Sequence, residues 1–339
     1  MRTRILLPVL IAASLVTLVA GVGWGSVHVA TLDIVTVFRD HLSGRQPTDP
    51  VNDAIVWGLR LPRVVLAFVV GSALSVVGVA MQALVRNPLA DPYVLGLSSG
   101  SSAGAALYFL GFVPVALTGA LSLPLAAFLG GLLTIVLVYA VARDESSVPV
   151  TRLLLAGVAM SALMASITSF IAFVSPDPNK LRSVLFWLLG SLSGGSWDIV
   201  VWPIVVSTVG LVVLLALSRP LDAMLLGEDP ARSLGVPVER IKRGIIGLAA
   251  LMTGTMVAYS GAIGFVGLIV PHATRTLVGV SHRRVVPAAF FAGGLFLVWA
   301  DLLARSLIPG QDLPVGIVTA LAGVPFFLVL LRRHRRPFA

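Results

Sequence analysis

The chain has 339 residues, of which 57% are hydrophobic and 12% are charged, and its mean hydropathy is +0.99. An ordinary soluble domain carries about 25% charged residues, so this composition excludes a soluble protein and predicts an integral membrane protein. The net charge is +9 and cysteine is absent, which excludes disulfide frameworks, thiolate nucleophiles and cysteine-ligated metal centres.

Ten apolar segments predict an all-α integral membrane protein with ten transmembrane helices in a single domain, residues 1–339. The first segment follows Arg2 and Arg4. It is longer than the apolar core of a cleavable signal peptide, about 7 to 15 residues, so a retained span is favoured over a cleaved leader. The predicted spans are 5–27, 62–84, 94–113, 119–141, 151–173, 199–217, 242–260, 264–279, 286–304 and 314–331.

The distribution of basic residues favours ten spans over nine, because residues 242–279 could also form one long helix. With a break at 260–264 and both termini cytoplasmic, most of the 24 basic residues lie on the cytoplasmic side, as the positive-inside rule expects. The outer loops, of which 28–61 and 174–198 are the longest, are too short to form a domain. The basic residues on the outer side are Arg39, Arg45, Arg60, Arg63, Lys180, Arg182 and Arg305.

Small residues recur along one face of the third span, at Gly96, Gly100 and Gly104, and the fifth span repeats the pattern from Gly157. Close helix packing is the favoured interpretation. The alternative is a wall of a translocation pathway, built from polarizable and hydroxyl side chains. Its candidate residues are Met160, Ser161, Met164, Ser166, Thr168 and Ser169.

Charged side chains are rare deep in the spans, which argues against a carrier coupled to protons or sodium ions. Asp301 lies one helical turn before Arg305 and predicts a structural pair with it. His272 follows Pro271 and is more typical of a packing residue than of a metal ligand. His28 and His41 are isolated residues of the outer side, and we expect no metal site.

The sequence contains no recognisable catalytic motif. A phosphate-binding P-loop needs a lysine directly after a glycine-rich turn, whereas Lys180 and Lys242 follow Asn179 and Ile241. We therefore expect a chain that is not itself an enzyme and holds no cofactor. If ATP drives transport, ATP and Mg²⁺ bind a partner chain.

A polar segment, LLGEDPARSLGVPVERIKR at residues 225–243, interrupts the apolar sequence. All but its last two residues lie in the predicted cytoplasmic loop 218–241. Asp229 before Pro230 predicts a helix start with Asp229 as the N-cap, and Gly235 predicts its end. Ala231 and Leu234 give this helix an apolar face. Such a helix suits docking into a groove on a soluble partner; the alternative is a solvated loop held by positive-inside charges.

Six stretches, in order, resemble the FecCD-type permeases, which are membrane subunits of ABC importers for iron-siderophores, haem and vitamin B12. The resemblance runs from about residue 57 to the C-terminus. It implies a type II ABC importer permease in the bacterial inner membrane, working as a homodimer with two ATP-binding subunits and a periplasmic binding protein. The stretches are LRLPR (59–63), MQALVRNPLADPYVLGLSSGSSAG (81–104), FWLLGSLSGGSW (186–197), LLGEDPARSLGV (225–236), GAIGFVGLIVPHATR (261–275) and LPVGIVTALAGVPFFLVLL (313–331).

The resemblance also implies two contact sites. Arg60 and Arg63, with Arg305 as a third residue, are expected to receive acidic residues of the binding protein. The alternatives are that the first two anchor their span at the membrane interface and that Arg305 pairs with Asp301 or Asp312. Contact with the ATP-binding subunit is expected from Gly227, Glu228, Asp229, Ala231, Arg232, Leu234 and Gly235.

The sequence thus predicts an importer of a bulky chelate, with haem or another iron chelate preferred and cobalamin as the alternative cargo. Two other classes of transport protein remain as alternatives. A secondary carrier or channel would need no ATPase, and an ABC exporter permease is disfavoured by the ten spans and the outer arginines.

Overall fold

The computed structural model describes residues 2–25, 29–112, 122–144, 148–175, 177–308 and 310–333, which form helices and no strands. A π-helical stretch, Ala54–Arg60, lies within the third helix, and Pro92–Leu95 forms a short 3₁₀-helix. The helices are α1 (Arg2–Gly23), α2 (Thr31–Leu42), α3 (Pro50–Val85), α4 (Leu97–Phe109), α5 (Leu123–Ala142), α6 (Val150–Phe173), α7 (Pro178–Leu188), α8 (Trp197–Ala216), α9 (Ser218–Met224), α10 (Glu228–Ser233), α11 (Val238–Ser260), α12 (Val266–Val278), α13 (His282–Ala304) and α14 (Val315–Arg333).

Among the described residues, seven helices are long and apolar enough to cross a membrane, namely α1, α3, α5, α6, α8, α11 and α13. A helix occupies each of the ten predicted ranges. However, α4 and α12 have only 13 residues each, a length of about 20 Å at 1.5 Å per residue. The described residues are therefore all-helical, with seven helices able to cross a membrane, whereas the count of ten crossings stays a prediction.

Two segments that were predicted as outer loops are partly helical. Residues 28–61 contain α2 and the first part of α3, and residues 174–198 contain α7. Helix α2 buries Ile34 and Val37 on one face and exposes Leu32. Counting apolar runs finds only segments long enough to span a bilayer, so short amphipathic helices of this kind were missed.

Helix α3 is the centre of the bundle, and nearly all of its residues from Val64 to Leu84 are buried. Glycines bring its backbone into contact with two other helices. A Cβ atom at Gly71 would overlap the carbonyl oxygen of Gly293 in α13, and one at Gly78 would overlap that of Gly267 in α12. Small residues allow this close approach, which favours helix association in lipid.

The glycines of α4 also serve packing, so the favoured interpretation of this pattern is confirmed. A Cβ atom at Gly100 would overlap Thr134 of α5, and one at Gly104 would overlap the backbone of Ala126. Gly157 of α6 approaches the backbone of Val94 in the same way.

The predicted break between the seventh and eighth spans is confirmed, since α11 ends at Ser260 and α12 begins at Val266. Irregular backbone inside a membrane protein must find partners within the protein. Tyr93 supplies both partners of Ile263: its hydroxyl donates to the Ile263 carbonyl at 3.0 Å and accepts the Ile263 N–H at 3.1 Å. Gly261, with φ +66°, makes the turn out of α11.

Contacts between distant residues show that α11 and α12 run in opposite directions. Lys242, near the start of α11, contacts Glu228, the first residue of α10, whereas Arg275, near the end of α12, donates to Gln82 near the end of α3. His282, at the start of α13, contacts Asp222 of α9. One end of the bundle, the loop end, therefore gathers residues 82–86, 148, 218–242 and 275–282. The opposite end, the arginine end, gathers residues 21–23, 60–63, 301–305 and 312.

Candidate functional sites at the two ends of the bundle

Helix α10 lies at the loop end, and its start differs from the prediction. Its N-cap is Gly227, with φ +120°, and no side chain caps it. The Asp229 carboxylate, which was predicted to cap the helix, instead contacts the Arg232 guanidinium at 2.9 Å. The N-cap assignment was wrong because an acidic residue is favourable throughout the first helical turn, and its position in that turn is not fixed by sequence.

The end of α10 is as predicted. Gly235 has φ +81° and its N–H donates to the Arg232 carbonyl at 2.9 Å, while the Val236 N–H donates to the Ala231 carbonyl at 3.0 Å. These two bonds form a Schellman motif, in which a glycine in the left-handed region stops the helix.

The charged residues around α10 pair with one another. Arg232 lies 3.2 Å from Glu228 and 3.4 Å from Glu239. Lys242 lies 2.6 Å from Glu228 and 3.2 Å from Glu239, and its side chain is only 3% exposed. Glu228 and Arg232, which were expected to contact a partner chain, thus also hold α10 against the start of α11.

Part of α10 and its flanks faces outward. The Asp229 side chain is 92% exposed, and Leu226 and Leu234 are 67% and 66% exposed. Ala231 is fully buried, so the predicted apolar face is divided: Ala231 packs on the bundle and Leu234 points away from it. An exposed carboxylate between exposed leucines is a surface that a partner could contact.

A polar contact between Asp222 and His282 at the loop end was not predicted. Asp222 accepts the backbone N–H of His282 at 2.8 Å and lies 2.6 Å from its Nδ1 atom, and the imidazole is fully buried. Because the Asp222 carboxylate binds the N-terminus of α13, it joins α9 to that helix. The two residues are far apart in the chain, and no sequence spacing signals such a pair.

At the arginine end, Arg63 binds two carboxylates. Its Nε and Nη2 atoms donate to Asp301 at 2.8 to 3.1 Å, and its Nη1 atom donates to Asp312 at 2.5 Å. The Asp301 side chain is 2% exposed, whereas that of Asp312 is 47% exposed. Bidentate pairing of this kind fixes the orientation of the guanidinium and stabilises its positive charge.

The other two arginines bind the end of α1. Arg60 is 7% exposed and donates to the carbonyl of Val22 at 3.1 Å. Arg305 is 9% exposed, donates to the carbonyl of Gly21 at 2.6 Å and lies 3.7 Å from Asp301. Cations are favourable at the C-terminus of a helix. The three predicted docking arginines are thus brought together, but their contacts within the chain join α1, α3 and α13.

His41, interpreted as an isolated residue, has two partners in the structure. Its Nε2 atom lies 2.7 Å from Asp53, and its ring stacks on Trp57 with 3.9 Å between centroids. Trp197 donates its Nε1–H to the Trp57 carbonyl at 2.9 Å. The interpretation of His41 as isolated was wrong, because its partners Asp53 and Trp57 lie in a different helix and sequence spacing does not reveal such contacts.

His28 lies outside the described residues. His272 packs edge-to-face on Phe326, which agrees with a packing role.

The candidate pathway residues on α6 do not share one face. Met164 and Thr168 are buried at 8% exposure, and Met160 and Ser161 are half-buried. Ser166 and Ser169 are exposed, beside the small residues Ala162 and Ala165. Ser166 and Ser169 are therefore the most exposed residues of the set.

Known proteins match nearly the whole chain. The sequence matches the FecCD transport family over residues 10–333. It is 43% identical over 278 residues to the cobalamin import permease BtuC of Halobacterium salinarum, covering 82% of this chain and 73% of the relative. It is 40% identical over 292 residues to the hemin transport permease HmuU of Yersinia pestis, covering 84% and 86%.

The fold is also similar to a solved structure described as an inward-facing metal-chelate type ABC transporter. The TM-score is 0.83 and the identity 31%, over 96% of this chain and 98% of that one. Fold and relatives together define a membrane-spanning ABC transporter permease. The chain belongs to the FecCD transport family.

Proposed function

We propose that this permease imports haem or another iron chelate into the cytoplasm, using ATP hydrolysed on a separate subunit. The observation that carries the proposal is α10: a glycine-bounded helix, held on the bundle by ion pairs, with Asp229 and Leu234 exposed. The likeness to the hemin permease HmuU supports the preferred cargo. The likeness to the cobalamin permease BtuC favours cobalamin as the second candidate.

The proposed contact with the ATP-binding subunit divides the loop residues into two groups. Asp229, Leu234 and Gly235 are exposed and touch the partner directly. The second group positions α10. Gly227 is its N-cap and Ala231 packs against the bundle. Glu228 and Arg232 form ion pairs around it. An amphipathic helix placed in a partner's groove is a common recognition mode.

The proposed assembly is a homodimer with two ATP-binding subunits that carry ATP and Mg²⁺, and with a periplasmic substrate-binding protein. The chain crosses the bacterial inner membrane ten times with both termini in the cytoplasm. The loop end then faces the cytoplasm, which agrees with its basic residues, among them Arg240, Lys242, Arg243 and Arg275. The pathway is lined by exposed residues of α6 such as Ser166 and Ser169.

The binding protein is proposed to dock at the arginine end. The Arg63 side chain is 13% exposed and that of Arg305 is 6% exposed, while Arg60 is 7% exposed, so Arg63 offers the most accessible charge of the three. Its outer partner, Asp312, is half exposed. On docking, a carboxylate of the binding protein takes the place of Asp312 at the Nη1 atom of Arg63.

Coexpression with an ATP-binding subunit tests the contact at α10. We expect Leu234→Ser to reduce copurification of that subunit about tenfold, because losing a buried leucine contact costs about 1.5 to 3 kcal/mol and 1.4 kcal/mol is a tenfold change in affinity. Val280→Ser is the matched control, since Val280 is 67% exposed at the same end. Equal copurification of both variants would contradict the contact.

The cargo is tested with the reconstituted importer and radiolabelled haemin, ferric dicitrate and cobalamin. We expect ATP-dependent uptake of haemin or ferric dicitrate. Uptake of cobalamin alone would favour the second candidate. Uptake that needs no ATP-binding subunit would instead indicate a secondary carrier or channel.

A further inference from the structure

Two side chains of α11 hold the segment that leads into α6. The Val148 N–H donates to Oε2 of Glu239 at 3.2 Å, and the Val148 carbonyl accepts from Nζ of Lys242 at 3.3 Å. Val148 is 3% exposed and lies two residues before the first residue of α6, Val150. Because both of its polar backbone groups are bound, the position and the orientation of this residue are fixed.

The same two side chains bind α10. Lys242 contacts Glu228, the first residue of α10, at 2.6 Å, and Oε1 of Glu239 accepts from Arg232 at 3.4 Å. Each side chain therefore touches α10 on one side and Val148 on the other. We name these two residues, Glu239 and Lys242, the clamp.

The charges make the clamp resistant to separation from α10. Lys242 is 3% exposed and is compensated by Glu228 and Glu239. Removing one partner of a buried ion pair is destabilising, because the charge that stays buried loses compensation. A shift of α10 away from the clamp would separate Lys242 from Glu228 and Glu239 from Arg232, leaving the Lys242 ammonium with one carboxylate instead of two. Movement of α10 is therefore expected to carry the clamp and Val148 with it.

We propose that Glu239 and Lys242 are positioning residues that transmit movement of α10 to the start of α6. The proposal rests on the proposed function, in which an ATP-binding subunit moves α10. Helix α6 carries the exposed Ser166 and Ser169, so a shift at its start changes the surface that the cargo meets. The clamp thereby joins the site of ATP-driven movement to the pathway.

The test compares Lys242→Met and Glu239→Gln in the importer reconstituted with its ATP-binding subunits and binding protein. The measured quantity is uptake of radiolabelled haemin, ferric dicitrate or cobalamin per ATP hydrolysed, with the probe that the unaltered importer carries. We expect both variants to hydrolyse ATP while uptake per ATP falls about tenfold, a typical size for coupling between sites. Lys180→Met is the matched control, because Lys180 is the other lysine of the chain and is exposed on α7.

The proposal would be overturned if either variant assembles and its uptake per ATP equals that of the unaltered importer. Failure of both variants to assemble, while Lys180→Met assembles, would assign the clamp a purely structural role and would also overturn it. Failure of the unaltered permease to couple with any ATP-binding subunit would overturn the proposed function itself. Lys242→Arg keeps the charge and is expected to recover part of the coupling.

Discussion

At the scale of single residues, Asp301 is the carboxylate on which the arginine end depends. It is 1% exposed and contacts both Arg63 and Arg305. We expect Asp301→Asn to lower the free energy of unfolding by about 3 to 5 kcal/mol, because two buried cations lose their shared counter-charge. Thermal unfolding of the purified protein in detergent measures this loss.

Asp312→Asn is the control for that change, because Asp312 also contacts Arg63 but its side chain is 47% exposed. An exposed ion pair contributes only about 0 to 1 kcal/mol. Equal destabilisation by the two variants would show that burial does not decide the strength of these pairs.

The sequence predicted only the weaker of the two Asp301 contacts. Asp301 and Arg305 are four residues apart on one helix, a spacing visible in any sequence, yet they lie 3.7 Å apart. The bidentate partner, Arg63, is 238 positions away. The same limit explains why the pairs Asp222 with His282 and Lys242 with Glu228 were not predicted: side chains from distant segments meet only when the fold exists.

At the scale of helices, the crossing of α3 and α12 depends on Gly78. A Cβ atom there would overlap the Gly267 carbonyl oxygen. We expect Gly78→Ala to push the two backbones apart. This should lower the free energy of unfolding by about 1 to 3 kcal/mol, the usual range for overpacking. The midpoint of thermal unfolding in detergent should fall, together with the yield of folded protein.

Gly247→Ala provides the comparison, because Gly247 lies in the interior of α11 with no atom within 4 Å of an added Cβ. Alanine favours a helix over glycine by about 1 kcal/mol, so this variant is expected to be as stable as the unaltered protein or slightly more so. Destabilisation by Gly247→Ala as large as that by Gly78→Ala would mean that helix crossing is not the cause.

Long apolar runs made the main helices predictable, because lipid imposes a minimum length on every span. The ends of the helices were less predictable. α11 begins at Val238 and not at residue 242, since Glu239 and Lys242 are paired at the loop end and so tolerate burial there. The π-helical stretch Ala54–Arg60 carries no hydropathy signal and was missed for that reason.

At the scale of the whole molecule, the two polar ends allow a direct test of orientation. The chain has no cysteine, so single cysteines can be introduced without removing others. Val280 is 67% exposed in the turn between α12 and α13 at the loop end. Ser43 is exposed at the end of α2, beside the cluster of His41 and Trp57 on the opposite side.

In intact spheroplasts, a membrane-impermeant maleimide is expected to label Ser43→Cys and to leave Val280→Cys unlabelled until the membrane is lysed. The reason is that the loop end carries Arg275, Arg283 and Arg284 close to Val280, and basic residues near span ends are retained on the cytoplasmic side. Ser233→Cys, exposed on α10, should behave like Val280→Cys. The reverse pattern would place α10 outside the cell, where no ATP-binding subunit could reach it, and the proposed mechanism of energy transfer would then fail together with the orientation.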